Sequence, residues 1–234
     1  MKCPAELKSA TFRRYLTDTI KGYHVINEAP IKEAVWENIL TQALKRSAIP
    51  FTWNCGGHQS GADVVINDSV GISCKSCKDS KTHLKISSYR MTKCNSPADF
   101  VQCIDHDRAN FAFYGIITRA EDPEHTTYAI YMIPSELVKA GDLEWTEVMN
   151  RNKTAVNKTA VTEWKSNTVD GVQMSVKKSM SNQLWITLTK ERFREYCIVQ
   201  DISVPRHKHI DYASIVSILD LLPQLNNLSL QTET

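Results

Sequence analysis

The residues in this chain with the clearest chemical potential are an acid, Asp63, and a lysine, Lys75, on either side of a short turn. Apolar and polar residues alternate in the runs 61–67 and 71–76, and Asp68-Ser69 lies between them. This pattern predicts a β-hairpin on which the acid and the lysine share a face. A carboxylate can bind a hard divalent cation, and an ammonium can orient or deprotonate a water and neutralise charge on a phosphate, which is the chemistry of metal-dependent phosphodiester cleavage.

With this hairpin the chain resembles the PD-(D/E)XK nuclease superfamily, and within it the type II restriction endonucleases. The resemblance assigns the family's metal-binding aspartate to Asp63 and its lysine to Lys75. The family's second acid falls on Ser73, which is a departure because a serine hydroxyl does not replace a carboxylate as a metal ligand. In the branches of the family that accept this change, the resemblance implies that a glutamate from elsewhere fills the position.

The missing carboxylate is expected on an amphipathic helix predicted over Glu28 to Arg46, with Pro30 near its start. Glu33 and Glu37 lie one turn apart on this helix. In nucleases of this family an N-terminal helix packs beside the hairpin, so the resemblance favours Glu37, with Glu33 as the second choice. The residues alone are equally typical of solvated carboxylates on a helix face.

The resemblance therefore implies a Mg²⁺-dependent enzyme that hydrolyses phosphodiester bonds in double-stranded DNA at a specific short sequence. Asp63, Glu37 and the backbone carbonyl of Cys74 would hold Mg²⁺, and Lys75 would position or deprotonate the attacking water. Ser73 would be at most a hydrogen-bonding neighbour. Cutting both strands of a palindrome usually needs two active sites related by a two-fold axis, so a homodimer is expected.

Side chains that donate and accept hydrogen bonds at base edges are the expected DNA contacts. Two polar, basic segments offer such side chains, one just beyond the hairpin and one between two predicted strands. A glycine-rich stretch before the hairpin adds two further candidate residues. The candidates are His58, Gln59, Tyr89, Arg90, Lys93, Lys177, Lys178, Ser181, Asn182 and Gln183. Residues 206–209 are a more general phosphate-contact candidate. Each of these basic runs is also typical of a solvated loop.

Two pairs of residues favour a different function. Cys55 with His58, and Cys74 with Cys77, have the spacing of zinc ligands, and zinc modules commonly bind nucleic acid. Strand alternation would place Cys74 and Cys77 on opposite faces unless the chain turns sharply between them. A zinc-stabilised nucleic-acid-binding protein is therefore one alternative. A catalytically inactive nuclease fold that only binds DNA is another, suggested by Ser73.

Bulk composition adds few constraints. A chain of 234 residues can bury a substantial core, and 28 Lys and Arg against 26 Asp and Glu give a net charge of +2, so any DNA contact must depend on local basic clusters. There is no apolar run of about 18 residues that would span a bilayer. The N-terminus does not resemble a cleavable signal, and seven cysteines without framework spacing suit reduced thiols, so a cytoplasmic location is expected.

The patterning predicts an α/β (α+β) protein in which a central mixed β-sheet is flanked by helices, and the resemblance implies that this is a restriction-endonuclease-like core. Residues 1–234 are expected to form a single domain, with 1–140 as the catalytic core and 141–234 as a recognition or accessory region. Helices are predicted over 5–20, from Ser96-Pro97 and over 212–222, and a mobile loop over 150–168. The further predicted strands are 84–88, 111–118, 126–133, 172–176, 184–189 and 197–199.

Overall fold

A computed structural model describes residues 2–53, 61–149 and 161–206 of the chain. The first helix, α1, spans Ala10–Ile26 and begins after Ser9, whose hydroxyl accepts a hydrogen bond from the backbone N–H of Phe12 at 3.1 Å. The predicted start five residues earlier was wrong, because a short 3₁₀ turn over Glu6–Lys8 precedes this cap. Phe12, with Leu16 and Ile20 on the same stripe, is fully buried, so the helix packs through the face that its periodicity predicts.

The helix α1 also continues beyond the predicted end at Lys21-Gly22. An added Cβ at Gly22 would meet no atom within 4 Å, so this glycine lies on an open side where it weakens the helix by only about 1 kcal/mol. The last turn is held by His24, whose Nδ1 donates to the Asn27 carbonyl at 3.0 Å and whose Nε2 accepts from the Tyr128 hydroxyl at 2.8 Å. Burial lowers the pKa of His24, which suits the neutral ring that this pairing requires.

The second helix, α2, spans Glu33–Arg46 and begins later than the predicted Glu28. Pro30 explains the difference, because the residue before a proline is disfavoured from helical backbone, and residues 28–32 are not helical. Trp36 anchors the helix against the sheet. Its ring is fully buried, and its Nε1 donates to the Gly115 carbonyl at 2.8 Å.

In the described ranges the chain also forms a third helix, α3, at Pro97–Arg108, and eleven strands. The strands are β1 (Phe51–Trp53), β2 (Val64–Ile66), β3 (Val70–Lys78), β4 (His83–Arg90), β5 (Phe113–Glu121), β6 (His125–Pro134), β7 (Trp145–Met149), β8 (Val161–Ser166), β9 (Val172–Lys177), β10 (Gln183–Thr189) and β11 (Cys197–Pro205).

The central sheet has six strands in the order β1-β2-β3-β5-β6-β11. Strands β3 and β5 run parallel, with Ser73 opposite Tyr114, and the other neighbours are antiparallel. The predicted mixed sheet flanked by helices is therefore confirmed as a mixed α+β fold. The late strand predicted at 197–199 is longer than expected and completes this sheet at its far edge.

A second, antiparallel sheet of five strands has the order β4-β10-β9-β8-β7. The predicted pairing of 172–176 with 184–189 is confirmed as β9 and β10. The predicted loop over 150–168 was wrong for Val161–Ser166, which forms β8; on this strand Trp164 packs edge-on against Phe100 with ring centroids 6.1 Å apart. The rest of that segment, and the helix predicted over 212–222, lie outside the described residues.

The two sheets and three helices enclose two hydrophobic cores. The helix-side core lies between α1, α2 and one face of the central sheet, and includes Leu16, Trp36 and Cys74. The sheet-side core lies between the other face, α3 and the second sheet, and includes Cys77 and Phe100. The central sheet is thus covered on both faces. No helix within the described ranges is long and apolar enough to cross a membrane.

Candidate active site

The hairpin of β2 and β3 forms as the sequence predicts, with Val64 opposite Ile72. Its turn is centred one residue earlier than expected, because Asn67 and Asp68 take left-handed backbone with φ of 49° and 53°. Asparagine and aspartate tolerate this conformation better than other non-glycine residues. The turn therefore fixes the register that brings residue 63 beside residues 72–74.

Asp63 is held against the neighbouring strand by two hydrogen bonds. Its backbone N–H donates to the Ile72 carbonyl at 2.9 Å, and its carboxylate Oδ2 accepts from the Cys74 backbone N–H at 2.6 Å. One carboxylate oxygen is thereby fixed in direction by the hairpin itself. No contact among the described residues engages the second oxygen, Oδ1.

Lys75 is tied to the first turn of α2. Its Nζ lies 2.7 Å from Glu33 Oε1 and 2.9 Å from the Cys74 carbonyl oxygen, and its side chain is 12% exposed. Burial by itself lowers the pKa of a lysine, but the negative charges of Glu33 and then Asp63 outweigh it, so the pKa of Lys75 is raised. The side chain is therefore an ammonium at neutral pH in this arrangement.

Glu37 lies one helical turn after Glu33 and contacts β1, the strand that pairs with β2. Its Oε2 accepts from Trp53 Nε1 at 3.5 Å. The pKa of Glu37 is raised, first by burial and next by the negative charge of Asp63. The helix α2 thus brings two carboxylates to the hairpin, Glu33 onto Lys75 and Glu37 toward Asp63.

Ser73 and Cys74 occupy opposite faces of β3. Ser73 is 6% exposed, and the Cys74 thiol is fully buried in the helix-side core. Burial raises the pKa of Cys74 well above its ordinary value, so its sulfur is a protonated thiol and its carbonyl oxygen is the group that faces Lys75. Cys77 belongs to the sheet-side core, so Cys74 and Cys77 are not a pair of zinc ligands. Cys55 and His58 lie outside the described residues.

Sequence reasoning missed Asp107, in the last turn of α3. The segment just after α3 lies near the residues that lead into the hairpin, since an added Cβ at Gly61 would lie 3.7 Å from Asn110 Cβ. The pKa of Asp107 is raised by burial, while the positive charge of Lys75 opposes the shift. No sequence signal marks this residue, because only tertiary packing brings it near Lys75.

Several predicted DNA contacts have side chains that are free to reach a partner. Arg90, Lys93, Lys178 and Ser181 are exposed. Tyr89 is different, because its ring packs on the sheet-side core and its hydroxyl is buried without a hydrogen-bond partner among the described residues. The remaining candidates before the hairpin, His58 and Gln59, lie outside the described part of the chain.

Other predicted contacts are engaged within the protein. The Asn182 amide donates to the carbonyls of Met91 at 3.2 Å and Cys94 at 3.1 Å, and the Gln183 amide donates to the Ser88 carbonyl. Lys177 lies over the ring of Trp185, 5.7 Å from its centroid. Asn182 thus holds the segment that follows β4, whereas Gln183 and Lys177 make contacts within the second sheet, and the role of all three in reading DNA stays a prediction. Arg206 is exposed, and its Nη1 donates to the Asp122 carbonyl at 2.9 Å.

The donor chemistry of the site suits magnesium better than a metal held wholly by protein. Within residues 2–53, 61–149 and 161–206, no three His, Cys, Asp or Glu side chains are grouped to hold a metal ion between them. Mg²⁺ usually binds one or two carboxylates and takes its remaining ligands from water and substrate phosphate. The carboxylates of Asp63 and Glu37, with the Cys74 carbonyl, fit that requirement.

Comparison with known proteins adds no assignment: no protein-family model, no curated protein and no solved structure matches this chain.

Proposed function

We propose that the protein is a Mg²⁺-dependent DNA endonuclease of the PD-(D/E)XK type, acting on double-stranded DNA in the manner of a type II restriction enzyme. The observation that carries the proposal is the meeting of α2 with the hairpin. Glu33 lies 2.7 Å from the Lys75 ammonium, and Glu37 lies close enough to Asp63 for the negative charge of Asp63 to raise the pKa of Glu37. An acid supplied by an N-terminal helix is what the resemblance requires where Ser73 replaces the second acid.

In the proposed mechanism, Asp63, Glu37 and the Cys74 carbonyl would hold Mg²⁺, which supplies Lewis-acid polarisation of the phosphate and a more acidic water. The Cys74 N–H keeps Asp63 Oδ2 in place, so the carboxylate needs no rearrangement to bind. The raised pKa of Lys75 favours one of its two predicted roles. It would orient the attacking water and neutralise charge on the phosphate as an ammonium, rather than remove a proton.

Exposed basic side chains at Arg90, Lys93 and Lys178 are proposed to contact DNA phosphates or base edges. Replacing one phosphate-contacting lysine should weaken binding uniformly across sequences and reduce the salt dependence of binding by about one unit of slope. A two-fold homodimer is proposed as the cutting form, because it would present two active sites to the two strands.

The test is cleavage of a mixed-sequence supercoiled plasmid with added Mg²⁺ or with a chelator. The Asp63→Asn and Lys75→Met variants should each lose about 100-fold or more in rate, as expected for removal of one catalytic group. Asp68→Asn and Lys78→Met are matched controls, because they make the same changes at exposed positions of the same hairpin. Full cutting by Asp63→Asn or Lys75→Met would remove the assignment.

The two glutamates can be separated in the same assay. Glu37→Gln should reduce cleavage far more than Glu33→Gln, because the charge of Glu37 interacts with Asp63 whereas Glu33 pairs with the lysine. The opposite ranking would transfer the metal-binding role to Glu33. Circular dichroism of each variant would verify that the fold is intact.

Ser73 supports a second candidate, a nuclease-like fold that binds DNA without cutting it. That function predicts DNA binding that survives Lys75→Met, with no cleavage by the wild-type protein under any divalent cation. Sequence-specific cleavage by the wild-type protein would exclude it.

A further inference from the structure

Two cysteine thiols lie in contact beside α3. The sulfur atoms of Cys94 and Cys103 are 2.8 Å apart. A disulfide bond is about 2.05 Å long. The two sulfurs therefore need to approach by less than about 1 Å to bond, and the side chains already point at each other.

The backbone around Cys94 is fixed from both sides. Downstream, Ser96 and Asp99 form a capping box at the start of α3, and Asp99 Oδ2 also accepts from the Asn95 N–H at 2.9 Å. Cys94 itself is held through its carbonyl, which accepts from the Asn182 amide at 3.1 Å. Cys103 lies in α3, and Cys94 lies in the segment just before it. A bond between the two sulfurs therefore requires no movement of one secondary-structure element relative to another.

The two thiols differ in access. Cys94 is 3% exposed, whereas Cys103 is half-buried. A soluble reagent therefore reaches Cys103 first, and Cys94 is placed to react with whatever forms there. This is the arrangement of an attacking thiol with a resolving thiol beside it. Cys74 and Cys77, by contrast, are both buried and belong to different cores.

We propose that Cys94 and Cys103 are a modification site that forms a reversible disulfide by exchange with a small-molecule disulfide such as glutathione disulfide. The Cys103 thiolate attacks one sulfur of glutathione disulfide, whose S–S bond breaks and releases one glutathione thiolate. The Cys94 thiol then loses its proton and attacks the Cys103 sulfur, which expels the second glutathione thiolate. The two protein thiols are oxidised, glutathione disulfide is reduced, and the two protons end on two glutathione molecules.

The bond would close a loop of about ten residues that includes the start of α3. A disulfide between Cys94 and Cys103 reduces the conformational entropy of the unfolded chain more than that of the native chain, in which the two sulfurs are already in contact. Oxidation should therefore be favoured in the native protein over the unfolded protein by roughly 10- to 100-fold in equilibrium constant. This inference does not depend on the proposed nuclease activity.

The experiment equilibrates the native protein in glutathione buffers of graded oxidised-to-reduced ratio, followed by acid quenching, alkylation and tryptic digestion. Trypsin cuts after Lys93 and Arg108, so a single peptide, 94–108, carries both cysteines. Mass spectrometry should show one transition from the doubly alkylated peptide to an unalkylated peptide lacking two hydrogen atoms, reversed by dithiothreitol. The same titration in urea should require a more oxidising ratio by the factor given above.

Variants test the pairing. In Cys94→Ser the remaining thiol should accept glutathione or alkyl and form no internal bond, and Cys103→Ser should likewise form none. Cys77→Ser is the matched control and should retain the full transition. The proposal is overturned by a peptide that stays doubly alkylated at the most oxidising ratio, by one that carries only glutathione, by a bond to a cysteine outside 94–108, or by equal oxidation in urea.

Discussion

The ion pair between Glu33 and Lys75 gives the most quantitative prediction about the site. The perturbation is a double-mutant cycle made of Glu33→Gln, Lys75→Met and the variant with both changes. The cycle isolates the pair from two other effects of Glu33→Gln, the loss of a negative charge at the N-terminus of α2 and the change in solvation.

The expected coupling energy follows from the exposure of the two side chains. Ion pairs in full solvent contribute about 0.2–1 kcal/mol, whereas removal of one partner from a fully buried pair destabilises by about 3–5 kcal/mol. Here the lysine side chain is 12% exposed and the glutamate side chain 43%. Lys75 also keeps its hydrogen bond to the Cys74 carbonyl when the Glu33 carboxylate is removed. We therefore expect a coupling energy of about 1–2 kcal/mol.

Urea denaturation of the four proteins, followed by circular dichroism, measures this energy as the departure of the double variant from additivity. The pH dependence of the free energy of unfolding is a second test of the same pair. Because the folded-state pKa of Lys75 is raised, the contribution of its charge is fully present below the ordinary lysine value of 10.5 and is lost as pH rises through the folded value. Strictly additive effects at neutral pH would refute the coupling between Glu33 and Lys75.

Three further predictions concern stability. Burial and the charge of Asp63 raise the folded-state pKa of Glu37, so the contribution of protonated Glu37 to stability is present below the ordinary pKa of 4.5 and is lost as pH rises through the folded-state pKa. The metal-free Glu37→Gln variant should therefore be more stable than the wild-type protein at neutral pH by about 0.5–1 kcal/mol. A less stable variant in urea denaturation would contradict this. Oxidation of Cys94 and Cys103 should raise the free energy of unfolding by about 1.5–3 kcal/mol in the same assay, and unchanged stability would count against the native geometry of the pair. Trp36→Phe removes the buried indole donor from the Gly115 carbonyl and should destabilise by about 1–3 kcal/mol, whereas a neutral effect would mean that water replaces the indole.

Locally encoded features could be predicted from the sequence. The hairpin follows from period-2 alternation and turn residues, and the start of α3 follows from Ser96-Pro97, which forms a capping box with Asp99. Both depend on residues within a few positions of each other. The pairing of Asp63 with residue 74 is of this kind, because the register of one hairpin fixes it.

Features that depend on distant contacts could not be predicted. Strand β4 continues directly from the hairpin, yet it pairs with β10, about a hundred residues later, rather than with the central sheet. The sequence does not show that the side-chain amides of Asn182 and Gln183 donate hydrogen bonds to the backbone carbonyls of Cys94 and Ser88. Asp107 lies near enough to Lys75 for their charges to interact, although 31 positions of the sequence separate them. In each case the partner is chosen by tertiary packing, which no local pattern encodes.

The charge balance of the site supports the proposal that it binds a cation. Among the described residues, the carboxyl groups of Asp63, Glu33 and Glu37 lie near the Lys75 ammonium, and Glu33 already pairs with it at 2.7 Å. Asp63 and Glu37 are left facing each other, and burial of Glu37 makes their repulsion harder to screen. In the proposed enzyme, a bound ligand would offset this repulsion. A divalent cation and a phosphate bound to it would do so, because the cation neutralises the carboxylates while the Lys75 ammonium faces the phosphate.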